Sequence, residues 1–195
     1  AGFVVSSLAG RVPLILRTHG DDIQKDANLN YGLRLDPRME RRIGKTCHKM
    51  DRVVAMNESM ADCYRELGVS DARIVEIPNG VDVDLLKAPV DRDLVRREQG
   101  LPLDRPLLLT VGRYHPKKGY DVIPAVAKRL KANDISFLWL IVGDKTEQLH
   151  PLIEESGVAD VVRTLTEIGA AEVFEQGELQ LPDQALVDLY QCADI

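Results

Sequence analysis

The sequence lacks three features that would each assign it to a class of protein: paired cysteines, a long apolar segment and an excess of basic charge. Its cysteines, Cys47, Cys63 and Cys192, lie far apart and show no zinc-binding spacing, so they favour a reducing compartment such as the cytoplasm. The net charge of −6 argues against nucleic acid as a partner, because binding to a phosphate backbone requires a basic surface. Small molecules or proteins are the partners that this balance favours.

The opening segment AGFVVSSLAG is apolar but ends at Arg11, too early for a membrane span. It also lacks the basic start of a signal peptide and an initiating Met. The segment is typical of a helix that begins before residue 1. We therefore expect the chain to be part of a longer protein.

What the sequence does contain is an alternation of short apolar runs with amphipathic stretches, which is typical of β-α-β units. The run Phe137 to Val142 has no polar residue on either alternating face, as expected for a central parallel strand covered by helices on both sides. We therefore predict an α/β fold with parallel sheets. The other predicted strands are Pro13 to Leu16, Val53 to Met56, Ile74 to Ile77, Leu107 to Val111 and Val173-Phe174. The predicted helices are Pro37 to Lys49, Glu58 to Leu67, Asp91 to Gln99, Asp121 to Lys131, Thr146 to Ser156, Val158 to Ile168 and Asp183 to Cys192.

The strand pattern is interrupted between Asp82 and Pro106, where prolines, Gly100 and a charged helix replace it. We place a domain boundary there. The predicted parts are residues 1–84, a linker with a charged helix at 85–106, and residues 107–195.

The most informative segment joins the predicted strand Leu107 to Val111 to the helix expected from Asp121. Parallel sheets bind ligands at the carboxyl ends of their strands, and helix N-termini attract anions. Arg113 and Lys118 lie at the two ends of this loop, where a guanidinium and an ammonium group would suit a diphosphate. A solvated surface loop is the alternative. The P-loop and the dinucleotide-binding glycine motif are both absent.

Two acidic triplets admit a second interpretation. Asp82-x-Asp84 and Asp91-x-Asp93 could supply the paired carboxylates that hold Mg²⁺ or Mn²⁺ on a diphosphate. Neither triplet directly follows a predicted strand, and a turn at Asp82 and a helix N-cap at Asp91 account for them. We therefore expect no metal site.

The segment from Arg34 to Arg52 carries seven Lys and Arg against three Asp and Glu. A basic helix of this kind could dock on anionic lipid. A solvated face is the simpler interpretation, because Met39, Ile43 and Met50 form only a thin apolar stripe.

Several motifs in order resemble those of the retaining, nucleotide-sugar-dependent glycosyltransferases of family 4. They are Val53 to Ser59, Ile77-Pro-Asn-Gly-Val-Asp82, Val111-Gly-Arg-x-x-x-x-Lys-Gly119, Leu140-Ile-Val-Gly-Asp144 and Leu189 to Ile195. The resemblance covers nearly the whole chain and implies the GT-B fold of two Rossmann-like domains. Residues 1–84 would then be the latter part of the N-terminal, acceptor-side domain, and residues 107–195 the first part of the C-terminal, donor-binding domain.

The resemblance also implies roles for individual residues. His19, in the motif Thr18-His19-Gly20, would be the catalytic residue that lies against the donor sugar. The donor diphosphate would be bound by Gly112, Arg113 and Lys118, and the nucleotide side would be formed by Gly143, Asp144, Gly177 and Glu178. The nucleotide-sugar is a substrate, and neither a metal nor another cofactor is expected.

The chain departs from the family pattern at both ends. The family's acidic motif of two glutamates should follow Ile195, and the first strand with its glycine-rich loop should precede Ala1. The expected function is transfer of a sugar from a nucleotide-diphosphate donor to a glycan or lipid-linked acceptor with retention at the anomeric carbon. We expect a cytoplasmic enzyme, with peripheral membrane contact through residues 34–52 as an option. A GT-B epimerase or phosphorylase and a non-catalytic Rossmann-like binding module are the alternatives.

Overall fold

The computed structural model describes residues 2–81, 83–87, 89–166 and 184–195, apart from the side chain of Leu85. The chain divides into two compact units, Ala1–Val81 and Asp82–Ile195. Each unit contains a three-stranded sheet in which neighbouring strands are parallel. The predicted α/β class with parallel sheets is therefore confirmed.

The first unit has the strand order β1-β2-β3, so each strand pairs with the next one along the chain. Two helices begin where the sequence provides caps: the Asp36 side chain accepts from the Arg38 N–H over 2.7 Å, and the Asn57 side chain accepts from the Met60 N–H over 3.0 Å. The strands are β1 (Ile15–Arg17), β2 (Arg52–Ala55) and β3 (Ile74–Glu76), and the α-helices are α1 (Gly2–Val5), α2 (Pro37–His48) and α3 (Glu58–Glu66). Short 3₁₀ turns cover Ser6–Leu8, Leu33–Leu35 and Asp71–Arg73.

The second unit has the strand order β4-β5-β6. Its strands are β4 (Leu107–Val111), β5 (Leu138–Val142) and β6 (Val162–Leu165). Its described α-helices are α4 (Val83–Lys87), α5 (Arg92–Glu98), α6 (Ile123–Ala132), α7 (His150–Ser156) and α8 (Gln184–Cys192). Short 3₁₀ turns cover Pro116–Lys118, Tyr120–Val122 and Thr146–Leu149.

The central strand β5 is buried on both faces, as its unbroken apolar run predicts. Leu138 and Leu140 pack in one core cluster with Leu107 and Leu189, while Ile141 belongs to a second cluster on the opposite face of the sheet. Burial of each of these large aliphatic side chains contributes about 2 kcal/mol. The two clusters fix the register of the sheet, since a slip by one residue would exchange the faces.

The predicted helix Val158 to Ile168 is wrong. Gly157 ends α7 in the left-handed conformation with φ 67°, and the chain then turns into strand β6, Val162–Leu165. Strand β6 pairs with β5 in parallel register from Trp139 opposite Val162. The predicted strand Val173-Phe174 and the predicted helix start at Asp183 lie outside the described residues.

A network around Asp194 ties the end of α8 to β4 and α5. The Asp194 carboxylate accepts from the Leu107 N–H over 2.8 Å and from the guanidinium groups of Arg92 and Arg96 over 2.7 and 2.6 Å. The Leu107 N–H and the two arginines hold the pKa of Asp194 at about 2, below its usual value. The N–H of Leu109 donates to the Ile195 carbonyl over 2.8 Å, so the chain after α8 runs beside β4.

The Asp91 side chain accepts from the Leu94 N–H over 3.0 Å, which confirms its interpretation as the N-cap of α5. None of the helices in the described ranges is long and apolar enough to cross a membrane.

Candidate functional site

The loops after β4 and β5 meet at the carboxyl edge of the second sheet. The Gly112 N–H donates to the Val142 carbonyl over 2.8 Å, and the Tyr114 N–H donates to the Asp144 carbonyl over 2.7 Å. These two bonds extend the β4-β5 pairing beyond the strands. They bring the segment with Arg113 alongside the segment with Asp144, as expected for a ligand site on a parallel sheet.

Gly112 and Gly143 make this close approach possible. Both have positive φ, 148° and 143°, which favours glycine. A Cβ atom at Gly112 would lie 2.7 Å from the Tyr120 hydroxyl, and one at Gly143 would lie 2.2 Å from the Gly112 carbonyl oxygen. Side chains at these positions would therefore force the two loops apart.

The basic loop after β4 is shaped by a short 3₁₀ turn, Pro116–Lys118. His115 caps this turn, because its Nδ1 accepts from the Lys117 N–H over 3.1 Å. Gly119 ends the turn with φ 64°. Arg113 and Lys118 stand on either side of His115, and both are exposed. Neither cation forms an ion pair with a carboxylate in the part of the chain that the structure describes.

The start of the following helix differs from the sequence prediction. Asp121 is not its N-cap: it lies inside the 3₁₀ turn Tyr120–Val122, and α6 begins at Ile123 without a side-chain cap. Gly119 already reverses the chain in the left-handed conformation, which leaves no extended residue before the helix to act as a cap. Pro124 does lie in the first turn, as predicted, where its missing N–H removes no helical hydrogen bond.

The residues predicted for the nucleotide side divide into two groups. Gly143 and Asp144 lie beside the Gly112-Arg113 segment through the backbone bonds described above, and the Asp144 side chain is exposed. Gly177 and Glu178 lie outside the described residues.

In the first unit, His19 follows β1 at the carboxyl edge of its sheet. The neighbouring Thr18 is buried, and its hydroxyl lies 2.7 Å from the hydroxyl of Tyr64, which in turn donates to the Val54 carbonyl over 3.3 Å. Burial raises the pKa of Tyr64 to about 12, so its hydroxyl keeps the proton. The His19 side chain is exposed, in a segment whose backbone is anchored on both sides.

Asp22 is the second anchor of this segment. Its carboxylate accepts from the Gly20 N–H over 2.9 Å and from the His19 N–H over 3.1 Å. Sequence reasoning missed both Asp22 and Tyr64. An aspartate two residues after a glycine turn is a local signal for such a bond, whereas the contact of Tyr64 with Thr18 spans 46 residues and leaves no local pattern.

The basic segment from Arg34 to Arg52 does not form a single exposed face. Arg34 is buried, donates to the Ile23 carbonyl over 2.9 Å, and pairs with Glu40 and Glu66 at 3.1 and 3.0 Å. Its assignment to a solvated or lipid-facing surface is therefore wrong. Ile43 and Met50, two of the three residues in the predicted apolar stripe, belong to the core.

The remaining basic residues of α2 and its C-cap do share one exposed face, because they recur at helical spacing. They are Arg38, Arg41, Arg42, Lys45 and Lys49. None of them is ion-paired to a carboxylate within the described ranges. The Arg42 guanidinium stacks on the Phe3 ring at 4.1 Å from its centroid, which joins this basic face to α1.

No group of three or more side chains that could hold a metal ion occurs among residues 2–81, 83–87, 89–166 and 184–195. Asp91 is engaged as a helix cap, and Asp93 lies 3.9 Å from Arg97. Asp82 lies outside the described residues.

Two parallel sheets with polar loops at their carboxyl edges define an α/β protein of the kind that binds ligands at those edges. Comparison with known proteins makes the assignment specific: residues 1–85 match the model of Glycosyltransferase Family 4, and residues 91–175 match that of Glycosyl transferases group 1. The chain belongs to glycosyltransferase family 4 and has a fold of GT-B type.

The chain is similar to two D-inositol 3-phosphate glycosyltransferases. The one from Geodermatophilus obscurus is 35% identical over 171 residues, which cover 79% of this chain and 37% of that protein. The second, from Catenulispora acidiphila, is 30% identical over 198 residues, which cover 94% of this chain and 43% of that protein. The chain thus spans about two fifths of the length of these relatives.

Solved structures agree on the fold. Anabaena Alr3699/HepE in complex with UDP and glucose has a TM-score of 0.71 at 19% identity, with 99% of this chain and 47% of that chain covered. Sucrose-phosphate synthase from Thermosynechococcus elongatus has a TM-score of 0.72 at 18% identity, with 99% and 46% covered.

Proposed function

We propose that this chain is part of an enzyme that transfers a sugar from a nucleotide-diphosphate donor to an acceptor hydroxyl with retention at the anomeric carbon. The observation that carries the proposal is the pair of exposed cations Arg113 and Lys118 in the loop after β4, neither of which is ion-paired to a carboxylate among the described residues. Arg113 directly follows Gly112, which contacts Gly143. The membership of the chain in glycosyltransferase family 4 supports a diphosphate as the ligand. The position of this loop at the carboxyl edge of the sheet supports it as well.

In this proposal the protein's contribution to the reaction is mainly electrostatic. The bond between the anomeric carbon and the phosphate oxygen breaks, and the acceptor oxygen adds on the same face. The leaving phosphate takes the proton of the acceptor hydroxyl. Negative charge develops on the diphosphate during this step, and Arg113 and Lys118 are the cations proposed to stabilise it.

His19 is the residue proposed to hold the donor sugar from the first unit. A neutral imidazole has one hydrogen-bond donor and one acceptor, which is sufficient to orient a sugar hydroxyl. Its exposed side chain on an anchored backbone supports this role. Gly143 and Asp144, together with Gly177 and Glu178, are proposed to lie on the nucleotide side of the donor.

A uridine nucleotide-sugar is the first donor to test, because Alr3699/HepE was solved with UDP, glucose and UDP-glucose. For the acceptor we propose an alcohol that carries a phosphate, since the relatives named above act on D-inositol 3-phosphate. The exposed face of α2 supports an anionic acceptor. A helix that connects parallel strands runs antiparallel to them, so its N-terminal part, with Arg38 and Arg41, lies towards the carboxyl edge that holds His19.

We also propose that the enzyme works in the cytoplasm, where nucleotide-sugars and free thiols coexist; all three cysteines are free in the structure. The five exposed cations on the α2 face support peripheral contact with an anionic membrane as a second use of the same surface. Co-sedimentation with phosphatidylglycerol vesicles, compared with phosphatidylcholine vesicles, tests this second use.

The test of the proposed function is product analysis of the complete protein with UDP-glucose in the presence and absence of D-inositol 3-phosphate. A transferase forms a glycosylated acceptor with the donor's anomeric configuration, which NMR coupling constants identify. An epimerase changes the sugar without an acceptor, and a phosphorylase requires inorganic phosphate. Binding of UDP without turnover of any of a panel of nucleotide-sugars would favour a non-catalytic module.

A further inference from the structure

We propose that Asp22 is a positioning residue for His19. Its carboxylate fixes the backbone turn that carries the imidazole and thereby sets the direction in which the ring projects. This inference rests on the proposed role of His19 in holding the donor sugar. It goes beyond that role because it assigns the orientation of His19 to a residue that does not itself touch substrate.

The direct evidence is a pair of hydrogen bonds from consecutive backbone amides to one carboxylate. Asp22 Oδ1 accepts from the Gly20 N–H over 2.9 Å and from the His19 N–H over 3.1 Å, and Oδ2 lies 3.4 Å from the same His19 nitrogen. The Gly20 carbonyl in turn accepts from the Ile23 and Gln24 N–H groups over 3.0 and 2.7 Å. The turn is therefore closed by both side-chain and backbone bonds.

The segment is also held on either side of His19. The buried hydroxyl of Thr18 lies 2.7 Å from the Tyr64 hydroxyl, which fixes the residue before the histidine. After the histidine, a Cβ atom at Gly20 would lie 2.7 Å from the Tyr31 hydroxyl, so the turn packs closely against that side chain. Such restraints leave His19 little backbone freedom.

The imidazole itself contrasts with this rigid backbone. The His19 side chain is exposed, and its ring makes no hydrogen bond to any residue that the structure describes. A group whose backbone is fixed and whose ring makes no hydrogen bond among the described residues is suited to contact a ligand, because little backbone conformational entropy is lost on binding. Asp22 supplies the two side-chain hydrogen bonds of this arrangement, and Asp22→Ala removes them.

Three variants separate the contribution of the hydrogen bonds from that of charge or packing. In the complete protein, Asp22→Ala removes the hydrogen bonds that the carboxylate accepts from the His19 and Gly20 N–H groups. It should lower kcat by about 10-fold or more, because the imidazole is then misoriented. The affinity for UDP should change little. Asp22→Asn keeps an oxygen acceptor in the same place and should restore most of the activity. Asp21→Ala is the matched control, because no hydrogen bond to its side chain occurs within the described residues.

A double-mutant cycle tests whether Asp22 acts through His19. If it does, Asp22→Ala should have no further effect on kcat in a His19→Ala background. Amide hydrogen exchange provides a readout that is independent of activity: exchange at His19 and Gly20 should accelerate in Asp22→Ala and remain unchanged in Asp22→Asn. Exchange at Val54 in β2, which should not change, reports that the fold is intact.

The outcomes distinguish this inference from the proposed function. Wild-type kcat in Asp22→Ala together with impaired transfer in His19→Ala would overturn the inference alone. A further loss of kcat when Asp22→Ala is added to His19→Ala would also overturn it, because Asp22 would then act by another route. Unaltered transfer in His19→Ala would overturn the role of His19 itself and this inference with it.

Discussion

Gly143 and Gly112 are in direct backbone contact: a Cβ atom on Gly143 would lie 2.2 Å from the Gly112 carbonyl oxygen. This contact brings together the loops after two neighbouring strands. The bond from the Tyr114 N–H to the Asp144 carbonyl, 2.7 Å long, supports it. The position of Arg113 next to Asp144 therefore depends on the absence of a side chain at Gly143.

We expect Gly143→Ala to destabilise the protein by about 2 kcal/mol or more, because a methyl group would collide with backbone that cannot move aside. Urea unfolding monitored by circular dichroism measures the change. Gly157→Ala is the matched control, since Gly157 also has positive φ, 67°, but has no atom within 4 Å of an added Cβ. It should cost about 1 kcal/mol. Equal losses in the two variants would contradict the contact.

The Asp194 network predicts a specific sensitivity to acid. The pKa of Asp194 is lowered from 3.8 to about 2 in the folded protein. The stabilising contribution of its carboxylate is therefore present above pH 4 and is lost as the pH falls towards 2. Because the Asp194 side chain is 35% exposed, solvent screens this network. We therefore expect the ionised Asp194 to contribute about 1 kcal/mol to the free energy of unfolding. The measurement is urea unfolding at pH 7 and pH 3 for the wild type and Asp194→Asn.

The variant should lose less stability than the wild type between these two pH values. Asp21→Asn serves as a control, since no hydrogen bond or ion pair to the Asp21 side chain occurs among the described residues. An identical pH dependence in wild type and Asp194→Asn would show that the network does not stabilise the fold.

The orientation of α2 predicts that substitutions at its two ends change KM for the acceptor by different amounts. The pair Arg38→Ala and Arg41→Ala, combined in one variant, should raise KM for a phosphorylated acceptor by about 10-fold, as loss of a charge-assisted hydrogen bond does. The pair Lys45→Ala and Lys49→Ala removes the same charge at the other end of the helix and should change KM much less. Equal effects of the two double variants would point to general electrostatic attraction instead.

For His19 we expect a separation between catalysis and nucleotide binding. His19→Ala should lower the rate of transfer strongly, because a sugar hydroxyl loses its orienting partner. Its affinity for free UDP, measured by isothermal titration calorimetry, should be nearly unchanged, because Arg113 and Lys118 are proposed to hold the phosphates. His150→Ala is a suitable control, since the His150 ring bonds to Thr164. Unaltered transfer in His19→Ala would contradict this assignment, and a large loss of affinity for UDP would contradict the separation between catalysis and nucleotide binding.

The sequence predicted the features of the fold that depend on local apolar patterns. The two-sided run of β5 and the cap at Asp91 are read from neighbouring residues, and both occur as expected. The error at β6 has a physical cause as well. Val158, Val161, Val162 and Leu165 recur at helical spacing, but the first two belong to the turn after Gly157.

Several contacts in the fold and near the candidate site could not be predicted, because they join residues that are distant in the chain. Thr18 and Tyr64 are separated by 46 residues, and Arg96 and Asp194 by 98 residues. Arg34 illustrates the same limit: its neighbours in sequence indicate a basic surface, whereas its pairing with Glu66, 32 residues away, buries it. Tertiary contacts decided each of these cases.

The measurement that tests the central claim most directly is kcat for sugar transfer by Arg113→Ala and Lys118→Ala in the complete protein. If these side chains stabilise the charge that develops on the leaving diphosphate, each substitution should lower kcat by about 10²-fold or more. Lys117→Ala, one position away on the same 3₁₀ turn, should reduce kcat far less. Wild-type turnover in either Arg113→Ala or Lys118→Ala would contradict the assignment of this loop to the donor diphosphate.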